Sequence, residues 1–157
     1  MKLSLQKIAL LAEIIGAIAV VCSLLYLGQQ IRIQNEESRA AARHDFYVGW
    51  RESTVLFTDT VLADIFVRAS EDPESLSEAE RLQLLGGLHG LVRLFEEAFL
   101  QHQEERIDQD LWNAVNRQYS SLFSSPVYKK YWEERGQWYH KEFQKHVNKL
   151  QKLAYKI

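Results

Sequence analysis

The longest apolar run of the chain extends from Ile8 to Leu27 and reads IALLAEIIGAIAVVCSLLYL, with Glu13 as its only charged residue. A helix of this length spans about 30 Å, which matches the hydrocarbon thickness of a bilayer. The run therefore predicts one transmembrane helix, and we assign residues 1–28 to a membrane anchor.

Other interpretations of the run are a cleaved signal peptide, a lipoprotein anchor and the buried core helix of a soluble protein. Lys2 and Lys7 give the basic start of a signal peptide, but the run is long for one and no small-x-small cleavage motif follows it. Lipid attachment at Cys22 is disfavoured because Val21 precedes it, where a small residue is usual. The length of the run favours a membrane span over a core helix.

The chain that follows the anchor has the spacing of helices throughout. Residues 29–44 are polar and lack a helix breaker, so we expect the membrane helix to continue through them as a stalk. A second helical pattern covers 45–69, and Asp72-Pro73 ends it because a residue before proline leaves the α region. Its apolar positions are Phe46, Trp50, Phe57, Val61 and Ile65.

Three more helices are predicted from capping residues. Ser77 and Glu80 match a capping box before a helix that ends near Gln103. Asp108 caps a shorter helix, and Ser125-Pro126 begins a last helix that runs almost to the end of the sequence. The predicted buried positions are Leu84, Leu88, Leu91, Phe95 and Ala98, then Leu111, Trp112, Val115, Tyr119 and Leu122, then Trp132, Gly136, Tyr139, Phe143, Val147, Leu150 and Ala154.

The predicted fold is all-α, with an N-terminal transmembrane helix that continues into a stalk. An antiparallel helical bundle then covers residues 45–157, because short connections make neighbouring helices antiparallel. Gly86, Gly87 and Gly90 weaken their helix, which predicts the close approach of another helix there.

A stripe of small residues lies along the anchor and suggests how it associates. Ala12, Gly16, Ala19 and Ser23 share one face, which lets helix backbones approach closely in lipid. Glu13 lies beside the stripe. It either faces a partner or a pore, or it reaches the headgroups from inside the apolar run, since an ionisable group is costly at membrane depth. Both interpretations favour a helix that is not alone in the bilayer.

Charged residues cluster in two other places. Arg93 has Glu96 and Glu97 three and four positions later, which predicts a buried ion pair that orients helices, with a polar binding site as the alternative. The last helix carries a basic stripe, which is either a solvated face that pairs with acidic residues or a surface for anionic lipid or nucleic acid. The stripe comprises Lys141, Lys145, Lys149, Lys152 and Lys156.

Composition adds few further constraints. A net charge of −2 gives no argument for nucleic-acid binding, and a single cysteine excludes an intrachain disulfide. We find no Glu-x-x-His, no His-Glu-x-x-His and no nucleophile elbow, so no metal, cofactor or catalytic residue is predicted. The tryptophans and tyrosines are expected to form the core of the bundle, with a ligand pocket as the alternative.

Three stretches carry a resemblance: AEIIGAIAVVCSLLYLGQQIR, RLFEEAFLQHQEERIDQDLW and a tryptophan-rich last helix. They resemble a group of small bacterial proteins with one N-terminal membrane helix and a helical C-terminal domain. The resemblance covers most of the chain and implies this architecture and the bacterial inner membrane. That group has no assigned activity, so no catalytic residue follows from it. Glu105-Arg106 stands where the group is expected to have a glycine turn, so a tighter or more helical connection is expected here.

The orientation of the anchor is weakly determined by its flanks. Lys2, Lys7 and the α-amine lie on one side and Arg32, Arg39 and Arg43 on the other, so the positive charges nearly balance. We lean towards a cytoplasmic C-terminal domain.

These patterns lead to a non-enzymatic, single-pass structural or accessory protein as the first hypothesis. Its partners would be the lipid bilayer and either copies of itself or a membrane-protein complex. The second hypothesis is a homo-oligomeric channel with Glu13 facing a central path, where a ring of carboxylates favours cations. The third is a membrane-tethered enzyme or ligand-binding domain.

Overall fold

The computed structural model describes residues 5–150 of the chain, and within them it contains helices and no strand. This confirms an all-α fold in which a long apolar N-terminal helix precedes a helical domain. The α-helices are α1 (Leu5–Ser53), α2 (Val55–Thr58), α3 (Thr60–Glu71), α4 (Glu78–Gln103), α5 (Gln109–Leu122), α6 (Pro126–Arg135) and α7 (Lys141–Lys149). Two 3-10 turns cover Pro73–Ser75 and Gly136–Trp138.

The contacts of the chain divide it into two units, Met1–Ala40 and Ala41–Ile157. In the first unit, α1 contains an 18-residue window with a mean hydropathy of 2.6, and none of that window is buried. This helix is long and apolar enough to cross a membrane. In the second unit, α4 is the central helix, because α3, α5, α6 and α7 all pack against it.

The helix predicted over 45–69 is divided in the structure. The long helix α1 extends to Ser53, and Asp59 then caps α3 by accepting hydrogen bonds from the backbone N–H groups of Val61 and Leu62, each at 2.9 Å. An aspartate that bonds to nearby backbone favours a new helix start over a helix interior. The apolar positions predicted for this helix therefore do not form one buried face, since Phe57 and Val61 are 40% and 60% exposed.

The predicted caps of the later helices are confirmed. Ser77 and Glu80 form a reciprocal capping box on α4, which ends at Gln103. The side chains of Asp108 and Ser125 accept backbone hydrogen bonds at the starts of α5 and α6. The predicted core positions of α4 are also confirmed, since Leu84, Leu88, Leu91, Phe95 and Ala98 are all buried.

The prediction of one continuous last helix is wrong, because α6 and α7 are separated by residues 136–140. Gly136 permits the break: a Cβ there would lie 2.9 Å from the indole Cε2 of Trp132. Tyr139 then adopts an extended backbone and turns its ring into the core, where it is 4% exposed. The burial of Tyr139 overrides the helical periodicity of the sequence.

The prediction that helix glycines mark a close approach is wrong at Gly86 and Gly90. Both have open space where a Cβ would be, with no described atom within 4 Å. The close approach occurs at Gly49 instead, where a Cβ would lie 2.8 Å from Leu94 Cδ1. Gly49 thus lets the last turns of α1 pack against α4.

The core of the second unit is aromatic. Phe95 of α4 stacks on Tyr119 of α5 with ring centroids 4.0 Å apart, and Phe143 of α7 meets the edge of the Phe95 ring at 5.1 Å. The Tyr119 hydroxyl donates to the Leu91 carbonyl at 2.8 Å. Such ring pairs contribute about 0.5–1.5 kcal/mol each beyond the area they bury.

The connection from α4 to α5 turns through Glu105, which has a positive φ of 57°. The Arg106 N–H donates to the Gln101 carbonyl at 2.9 Å and the Glu105 N–H donates to the His102 carbonyl at 3.0 Å. This is the Schellman pattern that usually places glycine in the left-handed position. The turn therefore keeps the geometry that glycine would favour, with a glutamate in it.

We expect Glu105→Gly to stabilise the protein by about 0.5–1 kcal/mol, since glycine relieves the left-handed backbone. The free energy of unfolding in urea, followed by tryptophan fluorescence in detergent micelles, measures the change. Gln103→Gly is the control and should destabilise by up to about 1 kcal/mol, because Gln103 is the last helical residue of α4 and has no left-handed backbone to relieve. A destabilised Glu105→Gly variant would contradict the strain assigned to this turn.

His146 of α7 lies half-buried against the aromatic core. Its ring is 5.3 Å from Trp112, and its Nε2 is 2.8 Å from Asn116 Oδ1, so the Nε2–H tautomer donates to that amide. Burial, and then the nearby His102, lower the pKa of His146. The folded state therefore favours the neutral ring.

We expect the protein to lose stability as pH falls below about 6.5, where the unfolded His146 is protonated before the folded one. The contribution of His146 to stability is complete above that pH. It is lost as the pH falls towards the lowered pKa of His146 in the folded state. Urea unfolding at pH 7.5, 6.5 and 5.5 should show a smaller loss for His146→Gln than for the unmodified protein. The exposed His44 gives the control, and an equal effect of His44→Gln would contradict the assignment.

Candidate functional site

A polar cluster lies where α4 meets α6 and the connection over residues 136–140. His89, Arg93 and Glu96 follow one another on α4 at spacings of four and three, which places them on one face of the helix. Because Gly136 and Tyr139 interrupt the helix after α6, the chain returns across this face. The site is therefore formed by one face of the regular helix α4 and by the non-helical connection between α6 and α7.

Glu96 fixes the connection to α4. Its carboxylate is buried and accepts two hydrogen bonds of 2.6 Å, one from Arg93 Nη1 and one from the backbone N–H of His140. Arg93 also donates from Nη2 to the Trp138 carbonyl at 3.3 Å, and its Cζ lies 4.3 Å from the centre of the Tyr139 ring. Short bonds to charged groups are among the strongest in proteins, so this pair acts as a clamp on residues 138–140.

Two tyrosine hydroxyls and a histidine form a triangle beside the clamp. The Tyr131 hydroxyl is 2.9 Å from His89 Nδ1 and 2.5 Å from the Tyr139 hydroxyl, which is itself 3.3 Å from His89 Nδ1. Burial raises the pKa of both tyrosines above the ordinary value. The hydroxyls are therefore protonated at neutral pH and supply hydrogen-bond donors.

A half-open cavity of about 470 Å³ adjoins this triangle, and Tyr131 belongs to both. The ends of α3 and the turn Pro73–Ser75 form one side, and α4 and α6 form the others. Arg68 of α3 donates a hydrogen bond to Glu80 of α4 and so links these two walls of the cavity. This bond lowers the pKa of the Glu80 carboxyl to about 2. The floor is apolar and consists of Leu76, Leu84, Leu85, Leu88 and Val127.

The predicted charged residues lie in different surroundings. Arg93 and Glu96 are paired, but the prediction of a buried pair is wrong for Arg93, whose side chain is 42% exposed. Glu97 is exposed and accepts a hydrogen bond from Gln101 at 3.0 Å. In the basic stripe, Lys141, Lys145 and Lys149 are exposed on α7, and Lys145 pairs with Glu142 of the same helix. Lys152 and Lys156 lie outside the described residues.

The predicted association residues of the anchor are all exposed in the first unit. Ala12, Glu13, Gly16, Ala19 and Ser23 lie on the part of α1 that is apolar. The Ser23 hydroxyl donates to the Ala19 carbonyl at 2.8 Å, so its hydrogen bond is made within the helix. A helix can therefore carry this serine in lipid without an unpaired donor.

Sequence reasoning missed His89, Tyr131, Arg135 and Trp138. The spacing of His89 before Arg93 and Glu96 was a usable signal, because all three share a helix face. Tyr139 was expected in the seam of one continuous last helix, and Tyr131 was not among the predicted buried positions. Their role depends on the break at Gly136, which the apolar spacing does not reveal.

No protein-family model matches the chain, and neither a curated protein nor a solved structure matches it.

We expect Glu96→Gln to destabilise the protein by about 1.5–3 kcal/mol, because it removes the charge from two hydrogen bonds to a buried carboxylate. Urea unfolding measures the loss. Glu97→Gln, the same substitution on the next residue, should change the stability by less than about 0.5 kcal/mol, since Glu97 is exposed. Equal effects of the two substitutions would contradict the clamp.

Proposed function

We propose that this chain is a single-pass protein of the bacterial inner membrane that acts as a structural or accessory subunit rather than as an enzyme. Its anchor associates with a second copy or with a partner membrane protein. Its helical domain lies on the cytoplasmic side and holds the partner.

The observation that carries this proposal is the complete exposure of the apolar part of α1. Its large side chains, among them Ile15, Leu24 and Leu25, are 65%, 63% and 70% exposed. Monomeric soluble proteins rarely expose continuous apolar surface of this extent. A bilayer removes that cost, and the length of the run matches its thickness.

Glu13 and the small stripe support association within the bilayer. Insertion of an ionisable group at membrane depth is costly, so a residue such as Glu13 usually faces protein or water. Gly16 and Ala19 let a second helix approach on the neighbouring face. A partner helix at this face would shield Glu13 from lipid.

We expect Ala19→Leu to weaken association, because leucine separates the helices at the small stripe. Ala17→Leu is the matched control, since Ala17 lies about 160° around the helix from Ala19 at 100° per residue. Native mass spectrometry of the intact protein from a mild detergent gives the mass of the complex. Glu13→Gln, measured beside them, tests whether the carboxylate contributes.

A defined homo-oligomer that Ala19→Leu dissociates and Ala17→Leu preserves would support self-association. A second protein that co-purifies with the chain, is lost in Ala19→Leu and is kept in Ala17→Leu would support an accessory role. A bare monomer in all samples would contradict the proposal. An oligomer with a cation conductance that Glu13→Gln removes would replace the accessory role with the channel hypothesis.

A further inference from the structure

We propose that the cavity between α3, α4 and α6 binds a fatty acid, with its acyl chain on the leucines of α4 and its carboxylate at Arg135. The proposal concerns the second unit alone and does not depend on how the anchor associates. It assigns a ligand class to a site that the accessory role does not use.

The size and floor of the cavity suit an acyl chain. Its volume of about 470 Å³ lies within the range of about 300–1,000 Å³ that small-molecule sites have. Leu84, Leu85 and Leu88 follow α4 along one side, and Leu76 and Val127 complete an apolar surface. An elongated apolar chain gains free energy by covering these side chains.

Arg135 supplies the head-group contact. Its Nε is buried and has no hydrogen-bond partner among the described residues, and its Cζ lies 4.4 Å from the centre of the Trp138 ring. A buried donor without a partner is costly, and a guanidinium fork matches a carboxylate in two parallel hydrogen bonds. The stacked ring holds the guanidinium in place, and Arg135 lines the cavity, so a ligand carboxylate would meet the outer Nη groups of the guanidinium.

The other charges around the cavity include no free excess of positive charge, so only Arg135 is left to attract an anionic group. Arg81 and Lys130 also line the cavity, but Glu74 already lies 3.0 Å from Arg81 Nη2 and 3.9 Å from Lys130 Nζ. Glu78 and Glu134 line it as well and would repel a second anionic group. A monoanionic carboxylate fits this balance better than a dianionic phosphate, and a neutral molecule would leave the Arg135 guanidinium without an anionic acceptor.

The test uses the full chain in nanodiscs of phosphatidylcholine, with empty nanodiscs subtracted. The probe is 11-(dansylamino)undecanoic acid, whose fluorescence rises in an apolar site. We expect saturable binding that dodecanoate displaces and that dodecan-1-ol displaces at least about tenfold less well, since one hydrogen bond to a charged group corresponds to about that factor.

Two variants and one control locate the site. Arg135→Gln should weaken binding about tenfold, and Leu85→Trp should abolish it by filling the cavity. Arg117→Gln is the matched control, because Arg117 is exposed on α5, which does not line the cavity. Far-UV circular dichroism confirms that each variant remains helical.

Binding that both site variants weaken and the control preserves would establish the site. No saturable signal above that of empty nanodiscs would overturn the proposal. Equal displacement by dodecanoate and dodecan-1-ol, or unchanged affinity in Arg135→Gln, would overturn the head-group assignment. Unchanged affinity in Leu85→Trp would show that the fatty acid binds elsewhere and would overturn the cavity as its site.

Discussion

The buried carboxylate of Glu96 is the constraint on which the packing of α6, α7 and their connection against α4 depends. It needs hydrogen-bond donors, since an unpaired charge in the core would be very costly. Arg93 supplies one donor and the backbone of His140 the other, so the chain between α6 and α7 must pass beside α4. Because that path is fixed, Tyr139 reaches Tyr131 and His89, and Trp138 reaches Arg135.

The parts of the fold that follow from local chemistry could be predicted from the sequence. Ser77, Asp108 and Ser125 each accept a hydrogen bond from a backbone N–H at the start of their own helix. Such a cap can be recognised from about four consecutive residues of the sequence. The buried face of α4 follows from spacing alone, because the apolar side chains keep to one side of the helix.

The break at Gly136 and the polar triangle could not be predicted in the same way. The apolar residues from Trp132 to Val147 fit helical spacing. Spacing alone cannot reveal a hydrogen bond to a helix that lies about forty residues earlier in the chain. The structure departs from it because burying the Tyr139 ring and pairing Glu96 with the His140 N–H together outweigh one interrupted helix. The close approach at Gly49 was missed for a related reason, because it depends on the packing of Leu94 of α4 against α1.

Glu105 and Arg135 each break a local rule, and their surroundings differ. Glu105 has a left-handed backbone, but the Schellman hydrogen bonds and the burial of Ile107 directly compensate for it. Arg135 has a buried Nε for which the described residues supply no acceptor, and it lines a cavity. The backbone cost at Glu105 is offset by hydrogen bonds within its own turn, so that residue needs no ligand. The Arg135 guanidinium lines an apolar cavity and has no carboxylate partner among the described residues, so a carboxylate ligand can supply one.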